Sequence, residues 1–236
     1  MALYGYLQHI TFAGQPAVEN YKTRARALRM QQDPLEITTQ WNPKVQQGIF
    51  TLLAPQNSMH QYPQPSIEPQ LHNSAASVFA SALHAAASTS IHQKEAQHIS
   101  LSYIDMTVNG EARPALLAVL KEHVHTIGNK LLGVPVKLRR APADYHSTEQ
   151  SEMDGPPSLV SLRMVARNTE TSLLGTYTST FLHAQAVSTW QAVLESGRPC
   201  FLLIVDGSLD DALQPLSTFF SQVEETLQRA TQRPSG

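Results

Sequence analysis

Apolar residues recur at Val18, Tyr21, Ala25 and Leu28, the spacing of one helical face, and Pro16 opens the run where a helix does not need its missing N–H. A helix is therefore expected over residues 16–30, with a strand before it at 3–12. Residues 35–41 and 48–53 read as two strands joined through Asn42-Pro43. An alanine-rich helix capped by Asn73 or Ser74 should run to about residue 90. In the strand expected over 97–108 the alternation changes phase. Ile99, Leu101 and Tyr103 fall on one face and Ile104, Met106 and Val108 on the other, which implies a bulge near Tyr103 or burial of both faces.

The clearest helix covers 112–132. Leu116, Leu120, Val124, Ile127 and Leu131 keep helical spacing, and Gly133 stands where a terminating glycine belongs. A short strand is expected at 134–140. Residues 159–167 and 172–182 read as an antiparallel hairpin turning at Asn168-Thr169-Glu170. A helix over 187–196 ends at Gly197, and the unbroken apolar run 200–205 predicts a strand buried on both faces. After a turn at Ser208–Asp211, a last helix over 215–230 aligns Leu216, Phe220, Val223 and Leu227.

Two proline-rich stretches, 54–73 and 141–158, read as long loops, because each proline removes a donor and fixes φ. The expected fold class is α+β: a mixed, largely antiparallel sheet with helices packed mainly on one face. An N-terminal lobe would span 1–95 and a C-terminal lobe 96–236, or the two would form a single domain.

Only 15% of residues are charged, against roughly 25% in ordinary soluble domains. With 17 basic and 19 acidic residues the net charge is −2, which disfavours general polyanion binding. Cys200 is the single cysteine, so intrachain disulfides and cysteine-based zinc or iron–sulfur sites are excluded. No secretory leader or membrane-length apolar window is visible, and an intracellular location, cytoplasmic or nuclear, is expected.

Candidate chemistry is sparse. Phosphate-binding glycine motifs and the G-x-S-x-G nucleophile elbow are missing. Asp206 and Asp210, in the turn 206–211 after an apolar strand, could hold a hard cation through oxygen ligands. Cys200 could serve as a nucleophile if Arg198 lay on its side of the strand. His123 and His125 point apart on a helix and cannot share an ion. Phe201–Ser208 resembles the opening of a von Willebrand A-type metal site, but that family's next serine is Asp210 here. Leu174–Tyr177 with Pro199–Asp206 is similar to the late portion of MPN-type domains, over too short a stretch to carry a fold or activity across.

Lys22, Arg24, Arg26 and Arg29 form a basic row on the first helix, and Lys137, Arg139 and Arg140 a second cluster on a strand. The expected function is a non-catalytic interaction subunit, an adaptor or scaffold in a larger assembly of other protein subunits, without a cofactor. Its first contacts would be Lys22, Arg24, Arg26 and Arg29. The alternatives are a small metal-assisted or cysteine-dependent hydrolase built on the 206–211 turn, and a nucleic-acid-associated subunit using the basic helix 16–30.

Overall fold

The computed structural model describes residues 16–56, 74–92, 101–142, 152–153, 158–168 and 177–232. The strand expected at 3–12 and most of both proline-rich loops lie outside the described residues. One six-stranded sheet organises the rest: β1 (Lys44–Gln47), β2 (Phe50–Leu53), β3 (Tyr103–Asn109), β4 (Val136–Ala141), β5 (Leu159–Ala166) and β6 (Cys200–Val205), in the order β1-β2-β6-β5-β3-β4. Five α-helices accompany it among the described residues: α1 (Pro16–Leu28), α2 (Ala75–His92), α3 (Pro114–His125), α4 (Ser179–Glu195) and α5 (Leu213–Thr231). Strands from both anticipated lobes meet where β2 pairs with β6.

The mixed α+β architecture is as the pattern implied, but the balance of strand directions differs. β4, β3, β5 and β6 run parallel, and only the β1–β2 hairpin, set against β6, is antiparallel. The hairpin expected across 159–182 does not form, because β3 and β6 occupy both edges of β5. Residues 179–182 instead begin α4, where the Thr178 hydroxyl accepts the Phe181 N–H at 3.1 Å as an N-cap. Parallel neighbours need crossover helices. β3–α3–β4 and β5–α4–β6 move in opposite directions along the sheet, so two right-handed crossovers place their helices on opposite faces. Helices therefore cover both faces, not mainly one.

On one face Ile104, Met106, Val108, Leu162, Met164, Phe201 and Leu203 pack against α2, α3 and α5. The other face meets α1 and α4, with Trp190 against Cys200, Leu202 and Ile204. Trp41 abuts Trp190 edge to face at 4.6 Å, and Trp190 Nε1–H donates to the Cys200 carbonyl at 3.0 Å. Burial of both faces explains the phase change in β3 and the unbroken run in β6. The strand expected at 35–41 is replaced by a 3₁₀ turn, Glu36–Thr38, and the polar Lys44–Gln47 forms the outer strand. Gly48, at φ 56°, makes the hairpin turn.

α3 continues into a wider π-helical turn, Thr126–Leu132, and stops at Gly133 with φ 69°, as its sequence implied. Gly128 in that turn permits a close approach. A Cβ there would overlap a Val136 methyl and stand 2.7 Å from the Val134 carbonyl oxygen. The contact lets the helix end lie directly on the start of β4.

Candidate partner-binding groove

β4 is the terminal strand of the sheet among the described residues, and α3 runs over one of its faces. Between them lies a groove of about 590 Å³. Leu117 and Val124 from α3 and Val136 and Leu138 from β4 give it an aliphatic floor. Lys121, His125, Lys137 and Arg140 line it as well, all four exposed, and none of the described residues lining it is acidic. The Ile104 N–H donates to the Pro135 carbonyl at 3.0 Å and the Gly110 N–H to the Ala141 carbonyl at 3.1 Å. Odd-numbered residues of β4 thus turn their backbone groups to β3, and Val136 and Leu138 turn theirs to the outer edge.

Beneath β4, on the α1/α4 side of the sheet, sits a buried ionic cluster. Arg139 Nη2 donates to Asp105 Oδ1 at 2.5 Å and to Glu152 Oε2 at 3.1 Å. Arg163 Nη2 donates to both Glu152 oxygens at 2.9 Å, and the Ser161 hydroxyl donates to Oε1 at 2.8 Å. Asp105, Glu152 and Arg163 are each 1% exposed. Burial, reinforced by the Glu152 charge, raises the Asp105 carboxyl above its usual range despite Arg139. Burial pushes Glu152 the same way, but Arg163 and Arg139 outweigh it and hold that carboxyl below its ordinary value. Burial and the charges of Asp105 and Glu152 lift the Tyr103 phenol to about 12, and Lys137 rests over its ring at 4.5 Å. Glu152, within the 141–158 stretch that reads as a long loop, is an interior counter-ion. Arg139 belongs to this cluster; of the exposed cations, Lys121 and Arg140 stand on the α3 side of β4, and Lys137 flanks the same edge from the opposite face.

The basic row on α1 is largely turned to internal contacts. Arg24 bridges to Glu195 of α4 at 2.6 Å, Lys22 pairs with Glu19 at 3.2 Å, and Arg29 stacks 5.0 Å from the Phe181 ring centroid. Arg26 is exposed. Asp206 accepts from Arg167 Nε at 2.8 Å. Asp210 takes the Arg113 backbone N–H at 2.8 Å and its Nε at 3.3 Å, which caps the start of α3. Each carboxylate thus answers a different arginine, and no cluster of three metal-ligating side chains occurs among the described residues. Cys200 is fully buried, and burial pushes its thiol up to about 12, the reverse of what a nucleophile needs.

Two further arrangements resemble sites. His123 Nε2 lies 3.0 Å from the Ser217 hydroxyl and Nδ1 lies 2.8 Å from Glu224 Oε1, the order of an acyl-transfer relay. Ser217 lies inside α5, where neighbouring N–H groups serve the helix and offer no oxyanion donors. With His123 stacked on Phe220, the trio clasps α3 to α5. A second crevice, about 160 Å³, opens between the carboxyl ends of β3 and β5, where the chain reverses direction along the sheet. The Arg113–Asp210 pair lines it, and its volume is below that of small-molecule pockets.

Sequence reasoning found the cations of β4 but ranked the α1 row above them. The distinguishing signal is the edge position of β4, which depends on long-range strand order. No family model matches the chain, and no curated protein matches it. Its fold is similar to the crystal structure of hypothetical protein TT0462 from Thermus thermophilus, with a TM-score of 0.50 and 16% identity. The match covers 70% of this chain and 41% of that one. The chain thus spans about two-fifths of that protein's length, and the likeness shows the fold alone.

Proposed function

We propose that the chain is a non-catalytic protein-interaction subunit that docks its partner in the groove between α3 and β4. The observation that carries this reading is an aliphatic floor beside a strand that has only β3 as a neighbour among the described strands, edged by cations with no carboxylate among the described lining residues. Interfaces place apolar contacts centrally and charge at the rim, and this groove has that layout. The low overall charge fits a chain with part of its surface covered in an assembly. Arg26 and Lys22 on α1 would serve as a secondary contact, since Arg24 and Arg29 are engaged within the fold.

The test is affinity purification from the native cells, comparing wild type with Lys121→Glu/Lys137→Glu/Arg140→Glu and with Lys22→Glu/Arg26→Glu. A partner recovered in near-stoichiometric amount with wild type and lost only from the groove variant is expected. Loss only from the α1 variant would move the docking surface to α1, and a wild-type chain without companions would sink the subunit reading.

A further inference from the structure

We infer that the groove receives an extended, acidic segment of the partner, which joins the sheet as a strand beside β4. The inference rests on the groove being the docking surface and adds the partner's chemistry and conformation. The backbone register argues for an extended occupant. Val136 and Leu138 direct their N–H and C=O groups to the outer edge, two successive positions at which a short strand can pair.

The side-chain pattern argues for an acidic–apolar alternation. Side chains of an added strand point alternately to the two sheet faces. Those on the α3 side would meet Leu117, Val124, Val136 and Leu138, and those on the opposite side would meet Lys137. Lys121, on the α3 side of the groove, suits a carboxylate flanking the apolar row. Charge complementarity therefore selects glutamate or aspartate on one face and valine-sized side chains on the other. A single-stranded nucleic acid would answer the same cations, but its bases need aromatic platforms, and the groove's lining is aliphatic.

The experiment titrates the full chain with a short synthetic peptide in which glutamate alternates with valine and leucine, following backbone amide shifts by NMR. Two N-methylated versions are run beside it, one methylated on the apolar residues and one on the glutamates. Uridine oligonucleotide of matched charge is the control. Strand addition predicts shifts at the Val136 and Leu138 amides and a loss of roughly tenfold or more for one methylation pattern. The other pattern should bind like the parent, because its methyl groups point away from β4. Lys121→Glu/Lys137→Glu should weaken the parent peptide at least tenfold, and added salt should weaken it further.

Equal binding of both methylated peptides, no shift at millimolar peptide, or tighter binding of the oligonucleotide would overturn strand addition. If the peptide fails while a native partner is still lost from the groove variant, the strand falls and the interaction subunit stands. A peptide that binds as described, in a chain that recovers no partner, separates the two the other way.

Discussion

Replacing Glu152 by glutamine removes one negative charge from a cluster of four described side chains whose formal charges cancel. Asp105 and Glu152 balance Arg139 and Arg163, all within a few ångströms and at most 7% exposed. Glu152 receives hydrogen bonds from Arg139, Arg163 and Ser161 on both oxygens. The variant leaves a net positive charge in the interior, and breaking a buried ion pair from one side costs about 3–5 kcal/mol. For a chain of 236 residues treated as one cooperative unit that is a fall in Tm of roughly 6–20 °C.

Asp105→Asn should be milder, about 1–2 kcal/mol. Burial and the Glu152 charge already disfavour the ionised Asp105, and asparagine keeps an acceptor for Arg139. Urea unfolding at pH 7 would measure both, together with Arg163→Met and the Glu152→Gln/Arg163→Met pair. Neutrality is restored in the pair, so its cost should be less than the sum of the singles. A Glu152→Gln change below about 1 kcal/mol, or an Asp105→Asn cost equal to it, would refute the electrostatic account of the cluster.

Gly128→Ala should lower stability by about 1–3 kcal/mol, because the new methyl meets Val136 and the Val134 carbonyl where α3 approaches β4. Chemical denaturation checks this, and an unchanged midpoint would mean that the approach relaxes freely. His183 is held neutral by burial, with Nε2–H donating to the Ala166 carbonyl at 2.8 Å and Asp33 only weakly favouring its charge at 3.9 Å. Its folded pKa lies below the ordinary 6.5, so the unfolded chain binds the extra proton first, and stability is lost as pH falls below about 6.5. The slope from this group is at most about 1.4 kcal/mol per pH unit. Thermal melts from pH 7.5 to 5 should fall less steeply for His183→Gln, which keeps a donor; identical slopes would dismiss His183 as a source of acid sensitivity.

Long, strongly periodic elements were legible from local pattern. The stripe from Leu116 to Leu131, the stop at Gly133 and the buried run Cys200–Val205 each depend on neighbours a few residues away. The failures are non-local or concern competing short signals. Tyr177, Thr178 and Phe181 suggest a strand by composition, yet the Thr178 hydroxyl caps a helix, and that cap displaces the expected hairpin. Lys44–Gln47 carries too few apolar side chains to announce itself, because an outer strand has only one side to bury. Parallel pairing of β3, β4, β5 and β6 leaves no signature in any single segment. The same limit hid the groove, since Lys137 and Arg140 gain their setting from β4's place at the end of the strand order. Glu152 sits among acidic, proline-rich neighbours and reads as surface; its arginine partners come from two strands that only the fold brings together.

The β1–β2 hairpin rests against the last of the described strands to be made. Among the described strands β1 and β2 have only each other until Cys200–Val205 has been synthesised, and α5, which packs on α2, follows later still. At ordinary translation rates of about 5–20 residues per second, that interval is on the order of ten seconds. Throughout it Phe50, Leu52 and the apolar side of α2 lack β6 and α5, the elements that complete their cluster. Closure of the sheet thus waits on β6, so the order of synthesis and the order of assembly in this fold part company at β2.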